Sequence, residues 1–252
     1  MRIFTMRPLH LLVIASICGI IVVLAVAMIL SSPALLSKTA SPPSSDVKYA
    51  RDTQLPGPHY YTGIDFDTLK SDNNLTVMPL KSFRQQVTNY SCGPVAAMTV
   101  MSWYGQPLKN TDADELRVVN EMNTSDTIGT NPEQMAGWFT RNGMNATWGT
   151  GGSSEMLREN LRNGIPTIVE WIDWGGHWVV VVGYDTRGTE TVWDDVIIFA
   201  DSVDCHDDRV DGVTYFNYGE FDAMWFDAHY FPENMRSRAY VVVVPGNTPL
   251  PT

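Results

Sequence analysis

The chain has 252 residues, of which 44% are hydrophobic and 18% charged; this is enough to bury one full-sized core and leaves little room for a second complete domain. Its formal net charge of −11 argues against a nucleic-acid partner, because phosphate binding depends on basic patches that are absent here. We therefore expect one acidic globular domain.

The N-terminal segment is predicted to anchor the chain in a membrane. Residues 11–30, LLVIASICGIIVVLAVAMIL, carry no charge, and roughly 20 apolar residues span a bilayer as a helix. Arg2, Arg7 and His10 precede this run and only Lys38 follows it closely, which places residues 1–10 in the cytoplasm and everything downstream outside. The prediction is a single-pass protein of the cell membrane with an extracytoplasmic domain. A cleaved secretory signal, giving a secreted protein, is the alternative, although its apolar core is usually about 7–15 residues.

Composition divides the rest of the chain into three parts. Residues 31–58 are rich in Ser, Pro, Ala and Lys and contain too few large apolar residues to pack a core, so we predict a flexible linker there. The globular domain is expected over residues 59–245. Residues 246–252 form a short tail.

Helices are predicted early in the domain and strands late. Ser91 is expected to cap a helix over 92–104 that Gly105 ends, and further helices are predicted over 112–121, 132–143 and 154–163. Strands are predicted over 166–172, 177–184, 196–200 and 239–244, with a short helix over 218–226. This order indicates an α+β fold in which N-terminal helices pack on a mostly antiparallel sheet.

Cys92 stands at the predicted start of the first helix, in QQVTNYSCGPVAAMTVMSWYG. The helix dipole and the unpaired N–H groups of the first turn favour a thiolate, the nucleophilic form of cysteine. The alternative is a cysteine that is simply buried in a packed helix, which is the more common situation for an arbitrary cysteine. The position at the helix start, rather than in its middle, favours a reactive thiol.

A predicted hairpin brings a histidine and an aspartate together. The strand HWVVVVGYD begins at His177, and DDVIIFADS runs back towards Asp201. Pairing Tyr184 with Asp194 places His177 directly opposite Asp201, and opposed side chains lie about 4.5–5.5 Å apart at Cβ. At that distance a carboxylate holds one imidazole nitrogen and leaves the other for a thiol. The alternative is an ordinary strand-end histidine and a turn acid.

Several motifs together resemble a known family. They are QQVTNYSCGPVAAMTVMSWYG, GTNPEQMAGWFTRNG, GIPTIVEW, GHWVVVVGYD, FADS and GEFDAMWF, and they look like the bacteriocin-processing, double-glycine-leader cysteine peptidases of the papain-like superfamily. The resemblance covers nearly all of the domain and implies a papain-like cysteine peptidase fold. It also implies peptide or protein substrates.

The resemblance assigns roles to particular residues. Gln86 would donate to the oxyanion, Cys92 would attack the carbonyl, His177 would carry the proton and Asp201 would orient His177; the neighbouring Gln85 is an alternative for the first role. Substrate-binding residues are expected at Gly93 of the CGP turn and at Trp174 and Trp178 around GGHW, although core packing explains the tryptophans almost as well.

The chain departs from the best-known members of that family. Those are fused to exporters, whereas this sequence contains no phosphate-binding GxxxxGK[ST] loop, so leader processing is not implied. In an oxidising compartment Cys205 is able to pair with Cys92 in a disulfide. The acidic run over 201–211 matches neither an EF-hand loop nor a paired Cys-x-x-Cys zinc site, so we predict a solvated loop, no metal and no cofactor.

The resulting hypothesis is a membrane-anchored, extracytoplasmic cysteine peptidase that cleaves peptide bonds through a Cys-His-Asp triad and an acyl-enzyme. Two alternatives remain open at this point. The same triad suits an acyl transferase, because both reactions share the acyl-enzyme. The same fold also suits a non-catalytic module that binds peptides or cell-envelope components.

Overall fold

The computed structural model describes residues 65–106, 108–205 and 210–251. The predicted cytoplasmic segment, membrane anchor and linker, together with the first residues of the predicted domain, lie outside the described residues. Within the described ranges, no helix has the length and apolar character needed to cross a bilayer. The domain boundaries and the anchor therefore remain predictions.

The helices lie close to their predicted positions. They are α1 (Cys92–Trp103), α2 (Asp112–Met122), α3 (Pro132–Arg141), α4 (Ser154–Arg162) and α5 (Tyr218–Met224). The chemistry of their ends explains the boundaries. Asn131 and Gln134 form a capping box at the start of α3, with Pro132 as its first residue, and Gly105 follows α1 with a φ of +68°, a conformation that glycine adopts without strain.

Seven strands form the sheet within the described residues. They are β1 (Leu75–Val77), β2 (Met144–Gly149), β3 (Thr167–Trp171), β4 (His177–Asp185), β5 (Val196–Ala200), β6 (Val213–Asn217) and β7 (Tyr240–Pro245). Their order is β2-β7-β3-β4-β5-β6, with β1 paired to β4, and every pairing is antiparallel. The mixed α and β architecture with an antiparallel sheet is the predicted one.

The site lies where α1 meets the sheet. Residues 92–101 of α1 are all buried, and the helix packs on β4, whose nine residues are also all buried. A helix that is apolar on all sides is typical of a core position. Because α1 and β4 both begin at this end of the core, their first residues, Cys92 and His177, come together.

The hairpin between β4 and β5 differs from the predicted one. Tyr184 pairs with Ile197 rather than with Asp194, and a β-bulge next to Gly183 shifts the register further along. The turn is longer than expected because Asp194 and Asp195 stay out of the ladder. Asp195 instead accepts a hydrogen bond of 2.6 Å from the Tyr184 hydroxyl. The predicted register was therefore wrong.

Candidate active site

Cys92 is the first residue of α1, and its thiol is buried. The His177 ring and the backbone N–H groups of Gly93 and Trp178 are the polar groups that act on it. Burial raises the pKa of the thiol, but the interaction with His177, the charge of that ring and the two N–H groups outweigh burial and bring the pKa below its ordinary value. The environment therefore favours the thiolate.

His177 and Asp201 form a buried pair. His177 Nε2 and Asp201 Oδ1 are 2.7 Å apart, and the two side chains are 2% and 0% exposed. The paired register of β4 and β5 ends at Val180 and Ala200, so the two side chains meet diagonally past the end of the ladder. Diagonal neighbours are about 7–8 Å apart, which long side chains bridge. The structure thus brings the two residues together by a route other than direct opposition.

His177 and Asp201 each stabilise the charged form of the other. Burial lowers the pKa of His177, but the bonds to Asp201 and Cys92 outweigh it and raise that pKa to about 10. Burial raises the pKa of Asp201, yet His177 and the N–H groups of Val203 and Asp204 hold it below its ordinary value. An imidazolium between a thiolate and a carboxylate is the state that these directions favour.

Two tryptophans flank the imidazole. The centroids of the Trp171 and Trp174 rings each lie 5.3 Å from that of His177. Trp171 is buried, whereas Trp174 is 61% exposed and takes a left-handed backbone conformation with φ +52°. Non-glycine residues rarely adopt this conformation, which concentrates at functional sites. The His177 imidazole therefore lies between the buried Trp171 ring and the exposed Trp174 ring.

Gln86 lies beside the thiol but is tied to the chain around it. Its Nε2 donates to the Thr88 carbonyl at 2.7 Å, and its Oε1 accepts from the Ser202 hydroxyl at 2.7 Å. A primary amide nitrogen carries two N–H groups, so one remains for another acceptor. Gln86 is half-buried, whereas Gln85 is exposed.

A buried carboxylate organises the segment before Cys92, and the sequence did not single it out. Glu115 of α2 is fully buried and accepts hydrogen bonds from Val87 N at 2.8 Å and the Ser91 hydroxyl at 2.5 Å. Its other oxygen is 2.9 Å from Arg84 Nε. Ser91 is the N-cap residue of α1, as predicted, but its side chain makes no capping hydrogen bond because the hydroxyl donates to Glu115 instead.

Two cavities meet at Cys92. The larger, of about 550 Å³, is lined by Gln85, Gln86, Thr88, Asn89, Cys92, Trp174, Gly176, His177, Ser202 and Val203. The smaller, of about 170 Å³, is lined by Asn89, Tyr90, Cys92, residues 126–130, Glu170, Trp174, Gly176, Trp178, Asp227, Tyr230 and Phe231. Both cavities therefore give access to the region around Cys92.

The three predicted substrate-binding residues are placed differently. Trp174 lines both cavities, and Trp178 lines the smaller one while its Nε1 donates to the Thr130 carbonyl at 2.8 Å. Gly93 lies behind the thiol, where a Cβ would come within 2.9 Å of Thr130 Oγ1. Glycine is therefore required at 93 by packing.

Two acids in the smaller cavity are functional candidates that the sequence reading missed. Glu170 and Asp227 are each 2% exposed. Burial raises the pKa of Glu170 well above its ordinary value, and the nearby Asp227 and Cys92 raise it further. Glu170 stands alone as a charge in the otherwise apolar strand TIVEW, and that exception was the signal available in the sequence.

The second cysteine, Cys205, lies in the acidic run that follows β5. Cys92 and Cys205 are both free thiols, and Cys205 is exposed. Residues 206–209 of the acidic run lie outside the described residues. Asp204 is buried, and its carboxylate accepts a hydrogen bond of 2.6 Å from Gly212 N. In the described part of the chain, no group of three or more His, Cys, Asp or Glu side chains is arranged to hold a metal ion.

Comparison with known protein families gives one match. The model of the Peptidase_C39 like family matches residues 79–226, which is more than half of the chain and includes the motifs quoted above. This match confirms the resemblance that was inferred from those motifs. No curated protein matches the chain.

Solved structures of similar architecture include three peptidases. A double-glycine-motif protease from an AMS/PCAT transporter, in complex with the leader peptide, is 16% identical, with 64% of this chain and 89% of that chain covered and a TM-score of 0.41. The peptidase domain of Streptococcus ComA, a bi-functional ABC transporter of a quorum-sensing pathway, is 16% identical, with coverages of 65% and 98% and a TM-score of 0.46. A protein described as a C39-like peptidase from Bacillus anthracis is 13% identical, with coverages of 68% and 98% and a TM-score of 0.48.

Proposed function

Because the chain belongs to the Peptidase_C39 like family and is a cysteine peptidase, we propose that it hydrolyses peptide bonds with Cys92, His177 and Asp201 as its catalytic triad. The observation that carries this proposal is the buried cluster in which the Cys92 thiol interacts with the His177 ring and that ring is hydrogen-bonded to the Asp201 carboxylate. A nucleophile, a base and a group that orients the base are the elements that thiol-dependent acyl transfer requires.

In the proposed mechanism, the Cys92 thiolate attacks the carbonyl carbon of the scissile peptide bond. The carbonyl oxygen becomes an oxyanion, which the free N–H of the Gln86 amide and the backbone N–H of Cys92 stabilise. The His177 imidazolium then gives its proton to the leaving amine, and the C–N bond breaks to leave an acyl-enzyme. Water, deprotonated by the neutral imidazole, attacks the thioester and releases the new carboxylate while Cys92 regains its starting state.

The state of the thiol favours catalysis over a purely binding role. A binding module has no need of a thiol whose pKa lies below its ordinary value, nor of a buried imidazole–carboxylate pair beside it. Hydrolysis and acyl transfer share every step up to the acyl-enzyme, so they differ only in whether water or an amine attacks it.

The test is cleavage of a peptide library by the purified full-length protein, read by mass spectrometry. We expect cleavage by the unmodified protein and by Cys205→Ala, which removes an exposed thiol, and none by Cys92→Ala. Water enriched in oxygen-18 distinguishes the outcomes, because hydrolysis places the label in the new carboxylate and transfer to an amine does not. Equal cleavage by Cys92→Ala would exclude the triad. No cleavage, together with Cys92 alkylation no faster than that of a free thiol, would favour the binding module.

We also propose that residues 11–30 hold the domain at the outer face of a membrane. The support is the uncharged run of 20 residues after Arg2 and Arg7. The protein should then stay with the membrane after carbonate extraction, and protease added to intact cells should remove the domain. Release by carbonate, or protection from the protease, would contradict this proposal.

A further inference from the structure

Two carboxylates line the smaller cavity, and each has one buried oxygen for which the described chain offers no hydrogen-bond partner. Among the described residues, Glu170 Oε2 and Asp227 Oδ2 are buried without a hydrogen-bond partner, although both side chains are only 2% exposed. A buried polar atom without a partner costs free energy, more so when it belongs to a charged group. These two oxygens therefore indicate a missing donor.

The two carboxylates are close enough to share one donor group. A Cβ built on Gly176 would lie 2.3 Å from Glu170 Oε1 and 3.4 Å from Asp227 Oδ2, so these oxygens are separated by no more than the sum of the two distances, about 5.7 Å. Any side chain at 176 would collide with the Glu170 carboxylate. Glycine at this position keeps the acidic end of the cavity open directly beside His177.

Acidic side chains outnumber basic ones around the cavity. Arg236 Nε is 3.9 Å from Asp227 Oδ1, and that oxygen also accepts from Phe231 N at 2.9 Å, so neither contact uses Oδ2. Asp126 adds a third acid at the exposed rim. Cys92 lines the same cavity, and its thiolate would add to the negative field.

The walls of the cavity suit a long aliphatic stem. Trp178 and Phe231 stack with ring centroids 6.3 Å apart, and Trp174 and Tyr230 add two more aromatic rings to the lining. Aromatic faces bind both methylene groups and cations. The volume of about 170 Å³ is more than ten times the roughly 10–15 Å³ that one water requires.

From these observations we propose that the smaller cavity binds the side chain of a lysine or arginine next to the scissile bond, with its cationic end between Glu170 and Asp227. The aliphatic stem packs on the aromatic walls, and the cation donates to the two oxygens that have no partner. The inference rests on the proposed function, because it assigns the cavity to a substrate that Cys92 attacks.

The experiment uses matched pairs of acetylated dipeptide chloromethyl ketones. The pairs are Ala-Lys and Ala-norleucine, and Lys-Ala and norleucine-Ala; norleucine lacks only the ammonium group of lysine. Each reagent forms a thioether with Cys92 and releases chloride, so the alkylation rate of the Cys92 peptide, followed by mass spectrometry, reports occupancy of the cavity. At one of the two positions we expect lysine to react about 10- to 100-fold faster than norleucine, which is the contribution of a hydrogen bond to a charged group.

Two isosteric variants test the assignment. Glu170→Gln and Asp227→Asn should each reduce the lysine advantage about tenfold or more while norleucine reagents still react. Glu190→Gln, the same substitution as Glu170→Gln but at an exposed residue on the loop after β4, should leave the advantage intact. A lysine advantage that survives both cavity variants would overturn the proposal.

A separate control distinguishes failure of the cavity assignment from failure of the proposed peptidase function. If iodoacetamide labels Cys92 rapidly while lysine and norleucine reagents react equally at both positions, the cavity assignment is wrong and the nucleophile stands. If Cys92 proves unreactive, a binding experiment on Cys92→Ala tests the cavity instead. Tryptophan fluorescence compares the affinities of the acetyl-Ala-Lys-Ala and acetyl-Ala-norleucine-Ala amides for this variant. Tighter binding of the lysine peptide supports the cavity, and equal binding overturns it.

Discussion

Replacing Asp201 by asparagine tests how far the reactivity of Cys92 depends on the buried carboxylate. Asparagine keeps the shape and an acceptor for His177 Nε2 but removes the negative charge. A hydrogen bond to a charged group contributes about 1.5–3 kcal/mol, and one pKa unit corresponds to about 1.4 kcal/mol. The pKa of His177, raised to about 10 with Asp201 in place, should therefore fall by about one to two units.

A lower pKa of His177 also changes the protonation of Cys92, because the sulfur and the imidazole compete for one proton. A fall of one to two units in the pKa of the imidazole moves this equilibrium about 10- to 100-fold from the thiolate–imidazolium pair towards the neutral pair. Iodoacetamide alkylates the thiolate. We therefore expect the labelling rate of Cys92 at pH 7 to fall in Asp201→Asn, by up to about 10- to 100-fold.

The assay is the alkylation rate of the Cys92 peptide, measured by mass spectrometry from pH 5 to 10. Asp67→Asn, which changes an exposed aspartate, is the matched control and should label like the unmodified protein. Circular dichroism checks that Asp201→Asn remains folded. A folded Asp201→Asn protein whose labelling rate stays within twofold of the control would refute the idea that this carboxylate supports the ion pair.

Three further predictions concern other parts of the site. Gln86→Ala should lower peptide turnover about 100- to 1,000-fold and Gln85→Ala very little, so equal effects would remove Gln86 from the oxyanion site. Peptide cleavage should decline as pH rises through about 10, where the His177 imidazolium loses the proton that the leaving amine needs; constant activity from pH 9 to 11 would contradict that role. Glu115→Ala should lower the free energy of unfolding by about 3–5 kcal/mol because Arg84 loses its buried partner. Urea unfolding measures this loss, with Glu133→Ala, which changes an exposed residue, as the control. A loss no larger than that of the control would show that the Arg84–Glu115 pair does not stabilise the segment before Cys92.

The elements that could be predicted are those with strong local signals. α3 begins at Pro132 after a capping asparagine, and β5 occupies the predicted 196–200 because its apolar run is bounded by acids on both sides. Three strands were missed. β2 and β6 lie at the two edges of the sheet and are only partly buried, so they lack the apolar run of a central strand, and β1 has only three residues.

The hairpin shows why a correct pair of residues can follow from an incorrect register. The apolar runs predicted that β4 and β5 pair, but not the bulge at Gly183 or the longer turn. His177 and Asp201 still meet because diagonal neighbours are within reach of long side chains. Ser91 is the predicted N-cap residue, but the partner of its hydroxyl could not be predicted, because Glu115 is distant in the chain.

By itself the sequence determined the start of α1 at Cys92, the apolar strand that begins at His177 and the family to which the chain belongs, because helix ends, apolar runs and short motifs are local properties. Only the tertiary structure decided what surrounds the sulfur. Glu115 and Asp227 carry no local signal of their positions, and the lone charge of Glu170 in its strand gives no sign of what it faces. Packing of distant segments places Glu115 against Arg84 and Ser91 and brings Glu170 and Asp227 into the cavity that Cys92 lines. The burial of these three carboxylates is a property of the packed core alone.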